Sequence, residues 1–108
     1  GREGEYLTDR LTMEAERFID AARAAEKPFF LFLSHHAPHT PIEGKPALVA
    51  KYRAKLRAGL RHRNAAYAAM VESLDESVGR VLGHLERRGL AKNTAVVFVS
   101  DNGGAVQE

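Results

Sequence analysis

The sequence contains no cysteine, so this stretch holds no disulfide, no thiolate metal site and no cysteine nucleophile. Long apolar runs are missing too. The longest span a handful of residues, against roughly 20 needed to cross a bilayer, and nothing resembles a signal peptide. There is no repeat and no low-complexity segment. Charge of one sign is barely in excess: the formal net charge is +2, too small to demand a polyanionic partner. What remains is 108 residues, 44% hydrophobic and 28% charged, ordinary for a soluble globular chain of at most one domain with a modest core. The first residue is Gly1 rather than methionine, and only four residues follow an Asp-Asn-Gly-Gly cluster. Residues 1–108 are therefore expected to be an internal segment of something longer.

Two short apolar runs stand out, Phe29–Leu33 and Ala95–Val99. Neither alternates with polar residues, which reads as a strand buried on both faces, the habit of a parallel sheet covered by helices. Before the first run, Leu7, Leu11, Ala15, Phe18, Ile19 and Ala22 recur at three- and four-residue steps, predicting an amphipathic helix from about Thr8 to Ala25. Thr8 and Thr12 are its candidate N-caps, and Pro28 closes it. Between the runs, Tyr67, Met70, Val71, Leu74, Val78, Val81, Leu82 and Leu85 mark a second, longer helix. Gly89 stands at its left-handed C-terminal cap, with Leu90 folding back on the last turn. The order predicts an α/β fold, a fragment of a largely parallel sheet flanked by helices. Two such strands need further strands to cover them.

Ligands in open α/β sheets sit at the carboxyl ends of strands, and both runs end in chemistry. The first leads into His35-His-Ala-Pro-His-Thr-Pro41, where two prolines forbid regular structure. These histidines suit a transition metal, a plain polar loop, or donation to an anionic substrate oxygen. A zinc site is disfavoured because no His-x-x-Glu or cysteine companion is present. The second run leads into Ser100-Asp-Asn-Gly-Gly104. Asp-Asn-Gly is good turn sequence, yet Asp101 and Asn102 are also hard oxygen donors of the kind that bind calcium or magnesium. Two donors fall short of the roughly 6–8 that calcium takes.

Lys45 to Arg63 carries seven basic residues and no acid. It lacks interleaved aromatics apart from Tyr52, so a solvated helix face is preferred over nucleic-acid binding. Glu72, Asp75 and Glu76 read as solubilising residues, and His62 and His84 as surface positions.

Three segments together resemble the type I sulfatases of the alkaline phosphatase superfamily. They are Lys27-Pro-Phe-Phe-Leu-Phe-Leu-Ser-His-His-Ala-Pro-His-Thr-Pro41, Tyr67-Ala-Ala-Met-Val-Glu-Ser-Leu-Asp-Glu-Ser-Val-Gly79 and Asn93-Thr-Ala-Val-Val-Phe-Val-Ser-Asp-Asn-Gly-Gly104. The resemblance implies hydrolysis of a sulfate ester to an alcohol or phenol plus sulfate. It implies that His39 contacts the sulfate and assists the leaving alcohol, and that Asp101 and Asn102 are calcium ligands. It further implies a formylglycine nucleophile made from a Cys/Ser-x-Pro-x-Arg segment, which is absent here, as are the other metal ligands. The 108 residues alone are accordingly expected to be inactive. His35 and His36 receive no role.

Phosphonate monoester and phosphodiester hydrolases of the superfamily typically show Asp-His-Gly where this chain has Asn102, so the sulfatase reading is preferred over theirs. A non-catalytic anion-binding module is the alternative of another class. The expected partner is a sulfate ester, with neither nucleic acid nor membrane involved.

Overall fold

The computed structural model describes residues 4–103. Gly1–Glu3 of the incoming loop and Gly104 of the terminal cluster lie outside them. Three helices organise the described residues: α1 (Leu7–Ala24), α2 (Pro46–Ala54) and α3 (Ala65–Arg87), followed by a single 3-10 turn at Ala91–Asn93. Both α1 and α2 pack on α3.

Helix ends follow local chemistry. Asn64 caps α3, its side-chain oxygen accepting from the Tyr67 amide at 2.9 Å, which satisfies one of the first-turn donors. At the other end Gly89 has φ 72°. Gly89 N–H donates to Glu86 C=O and Leu90 N–H to Leu85 C=O, the paired closure of a left-handed cap. Helix α1 closes in the same way, with Glu26 N–H donating to Arg23 C=O and Lys27 N–H to Ala22 C=O. There the left-handed position is held by Glu26, at φ 52°, rather than by a glycine. The helix thus stops ahead of Pro28. Pro46 begins α2 at a first-turn position, where its missing N–H costs nothing.

The threonines expected to cap α1 do something else. The N-cap residue is Tyr6, without a side-chain cap bond, while Thr8 and Thr12 are buried with Ala15 and Ile19. Opposite, α3 buries Ala65, Ala69, Met70, Ser73, Ser77, His84 and Leu85. Small and hydroxyl side chains thus share the buried faces with Ile19, Met70 and Leu85 of the expected stripes. Other large apolar residues of those stripes lie on the flanks, with Leu7, Phe18, Val71 and Leu82 all exposed.

Ion pairs line the same seam. Arg80 grips Glu16 with two hydrogen bonds, of 3.3 and 2.6 Å. Asp20 takes the Arg88 guanidinium at 2.7 Å and His84 Nε2 at 2.9 Å. The Arg88 hydrogen bond, then that of His84, holds the Asp20 carboxyl below its ordinary 3.8 against the opposing effect of desolvation. His84 is therefore a buried seam residue, not a surface one. Lys45 bridges Asp9 at 2.9 Å and Glu76 at 3.1 Å, and Lys51 of α2 bonds Glu72 of α3. Burial works to lower the Lys45 pKa, but its bonds to Asp9 and Glu76 outweigh it and hold the ammonium above 10.5. Glu72 and Glu76 thus tie elements together instead of merely solubilising α3. Of the basic stretch, Arg53, Lys55, Arg57, Arg61 and Arg63 are exposed as expected.

The predicted sheet is not present among the described residues, which contain helices and no strand. Both apolar runs are unladdered. Phe29, Leu31 and Leu33 are half-buried while Phe30 and Phe32 are exposed, and Phe29 meets Phe18 of α1 edge-to-face at 6.1 Å. Val96, Val97, Phe98 and Val99 are exposed as well. A strand exists by virtue of its neighbour's N–H and C=O groups, and the two runs do not supply them to each other.

Candidate active site

Each apolar run delivers one set of candidate residues. Past Leu33 the chain makes a loop with cis peptide bonds at Ala37–Pro38 and Thr40–Pro41. The His39 amide donates to His36 C=O at 3.1 Å, and the two imidazoles lie 5.2 Å apart. Both rings address one carbonyl: His36 Nε2 and His39 Nδ1 are each 3.0 Å from Thr40 O. A carbonyl only accepts, so each of those nitrogens carries a hydrogen. His39 therefore keeps Nε2 for whatever approaches from outside, and the residue is exposed.

The loop is held at both ends. At its near end His35 Nε2 meets Ser77 Oγ of α3 at 2.9 Å, and Ser77 Oγ lies 2.6 Å from Thr12 Oγ1 of α1. At its far end Tyr6 donates its hydroxyl to Glu43 C=O at 3.0 Å, and Gly44 presses on α3. A Cβ at Gly44 would lie 2.7 Å from Ala69 Cβ and 3.0 Å from the Ala66 carbonyl oxygen.

The second set closes on itself. Asn102 donates its backbone N–H to Asp101 Oδ1 at 2.8 Å and its amide nitrogen to Asp101 Oδ2 at 2.9 Å. Gly103, at φ 77°, donates to Ser100 Oγ at 3.0 Å. Turn and ligand pair are thus compatible in one geometry. Each Asp101 oxygen retains a lone pair beyond the one engaged, and Asn102 Oδ1 is turned away from the carboxylate. The donor chemistry fits a hard cation, while its number does not complete a site. Among the described residues no group of three or more His, Asp or Glu side chains is placed to hold a metal. Nor does a hydrogen bond join His39 to Asp101 or Asn102 there. A cleft lined by Asp9, Glu16, Lys45, Glu76, Gly79, Arg80 and Arg87 includes none of the three site residues, and the charges of Asp9, Glu16, Lys45, Glu76 and Arg80 are already paired.

The sequence model of the Sulfatase family matches residues 1–108. The chain belongs to the sulfatase family. Among relatives, a sulfatase of Formosa agariphila is 44% identical over 107 residues, spanning 92% of this chain and 19% of that protein. The N-acetylgalactosamine-6-sulfatase of Mus musculus is 39% identical, over 93% of this chain and 17% of its own length. The steryl-sulfatase of Homo sapiens is also 39% identical, over 94% and 15% respectively. By name these are sulfuric ester hydrolases. The chain spans less than a fifth of the relatives it matches. The crystal structure of Ps i-CgsB superposes with a TM-score of 0.69 at 33% identity, covering 83% of this chain and 19% of that one. The same protein in complex with k-i-k-neocarrahexaose gives 0.70. The fold is thus that of a sulfatase segment, and the helices α1 to α3 are the part of it that these residues display.

Proposed function

We propose that this chain is the internal part of a sulfatase that supplies a sulfate-contacting histidine and two calcium ligands to hydrolysis of a sulfate ester. The observation that carries the reading is a pairing of position with chemistry. His39 and Asp101–Asn102 each lie just beyond the carboxyl end of an apolar run, in a chain matched end to end by the Sulfatase family. Asp101 and Asn102 would hold Ca2+, which when bound helps neutralise sulfate oxygens and orient the nucleophile. The formylglycine nucleophile would come from residues outside this chain, so the 108 residues alone are inactive.

The ring's hydrogen bonding supports a task for His39. With Nδ1–H committed to Thr40 O, the protonated ring presents Nε2–H to an anionic sulfate oxygen or to the ester oxygen as the alcohol departs. Giving up that proton leaves the ring neutral with Nδ1–H still bonded. Asn102, in the place of a histidine, supports sulfate over phosphonate or phosphodiester chemistry, because an amide oxygen is a hard neutral donor. The carbohydrate bound to Ps i-CgsB supports sulfated sugars as one substrate class.

The test is Asp101→Ala in the full-length protein, assayed with 4-nitrophenyl sulfate and with a phosphodiester beside it. Turnover of the sulfate should vanish while far-ultraviolet dichroism is unchanged. Retained activity would remove Asp101 from the metal site. A parent that prefers the phosphodiester would favour the other branch of the superfamily, and one that turns over neither ester would favour the non-catalytic module.

A further inference from the structure

The histidine that received no role in the sequence makes the longest-range contact of its loop. His35 is half-buried, and its Nε2 reaches Ser77, 42 residues away. Ser77 Oγ, Thr12 Oγ1 and Thr8 C=O continue in line at 2.6 Å steps. Each hydroxyl has one hydrogen to give, which fixes the direction of the chain. The Thr8 carbonyl can only accept, so Thr12 donates to it; Ser77 then donates to Thr12, and His35 donates Nε2–H to Ser77. The remaining ring nitrogen agrees. His35 Nδ1 is buried with no partner among the described residues. As a bare lone pair it is tolerable, whereas the opposite direction would leave a bare buried N–H, a costlier and rarer arrangement.

We infer that His35 is a positioning residue, which locks the loop bearing His39 onto the α1–α3 seam through Ser77 and Thr12. The inference rests on the reading of His39 given above. His39 is four residues further along a loop whose other anchors, Tyr6 and Gly44, lie at its far end. With His35 released, the bonds and ring contacts of the described residues would tie the stretch from Pro28 to Glu43 down at its two ends alone, by Phe29 against Phe18 and Tyr6 on Glu43.

The test uses the full-length protein with 4-nitrophenyl sulfate, and amide hydrogen exchange of residues 36–44 read by mass spectrometry. His35→Leu removes the donor, and Ser77→Ala removes the acceptor while leaving Thr12 bonded to Thr8. His35→Gln restores an N–H near the Nε2 position. Leucine and alanine should each lower kcat about 10–100-fold, the scale of an ångström-level misplacement, and accelerate exchange in the loop. The double variant should be no worse than either single one, because both cut the same link. Glutamine should recover most of both readouts. Unchanged exchange in His35→Leu overturns the anchoring. Faster exchange with unchanged turnover overturns the positioning role, and His39→Ala tells which premise failed. If that variant is inactive, His35 is not needed to place His39; if it is active, His39 was misread.

Discussion

Gly44 offers a sharp test of how tightly the second half of the histidine loop is seated. Its φ is not in the left-handed region, so only space forbids a side chain there. A methyl group would stand 2.7 Å from Ala69 Cβ, 2.9 Å from Val49 Cγ2 and 3.0 Å from the Ala66 carbonyl oxygen, three contacts inside ordinary van der Waals distance. Val49 can shift, but the other two atoms belong to α3. Overfilling a packed contact costs about 1–3 kcal/mol. Two glycines separate space from conformation. Gly79, within α3, has nothing within 4 Å of an added Cβ, so Gly79→Ala should stabilise by about 0.5–1 kcal/mol through helix propensity. Gly89 also has open space but sits at φ 72°, so Gly89→Ala should cost about 1–2 kcal/mol from backbone strain alone. Urea unfolding followed by far-ultraviolet dichroism reads all three. With a slope of about 1–3 kcal/mol per molar, a 2 kcal/mol loss at Gly44 lowers the midpoint by roughly 1 M. A neutral Gly44→Ala would show that the loop does not press on α3 at Gly44 as described.

Other expectations follow from single residues. Desolvation lowers the His35 pKa from its ordinary 6.5. Between the two values the unfolded chain holds a proton that the folded one lacks, so stability rises with pH there. The contribution is complete above 6.5 and is lost as pH falls through the folded value. Urea midpoints of His35→Gln should therefore vary less over that interval than those of the parent, and parallel profiles would refute the buried neutral ring. At the end of α1, Glu26 holds a left-handed conformation, so Glu26→Gly should raise stability by roughly 1 kcal/mol. A loss in thermal melts would mean that the Glu26 side chain earns its place by a contact. Asp20→Asn should uncouple α1 from the end of α3, visible as faster amide exchange at Arg87–Leu90. Unchanged protection would assign the closure to the Gly89 cap alone.

The sequence made the local features legible. Gly89 with Leu90, the stop before Pro28, and the histidine and Asp-Asn turns after the apolar runs are all written within a few residues of where they act. The sheet was read from the runs themselves, yet a ladder belongs to pairs of strands, and the described residues contain no pair. The α1–α3 seam was legible only in part, for another reason. Helical periodicity was traced through apolar residues and caught Ala15, Ile19, Met70 and Leu85, whereas the buried faces also carry Thr8, Thr12, Ser73, Ser77 and His84. Hydroxyls can be buried only once a partner is known, and Thr12 and Ser77 are 65 residues apart. The same distance hid the pairing of His84 with Asp20 and of Arg80 with Glu16. The one clue was opposite charge at matched four-residue steps, Glu16 and Asp20 facing Arg80 and His84. His39, Asp101 and Asn102 drew notice because they follow the two apolar runs in sequence; His35 was passed over because its partner is on a distant helix.

That seam also has a consequence for the order of assembly. The Lys51–Glu72 link between α2 and α3 closes 21 residues, whereas Arg80–Glu16 closes 64. The extra length costs about 1 kcal/mol in closure entropy, and non-local contacts are met later during folding. Chain entropy therefore favours the pairing of α2 with α3 over that of α1 with α3. Ser77 meets Thr12 only across the costlier of the two closures, so the anchor of the histidine loop draws on long-range packing rather than on local structure.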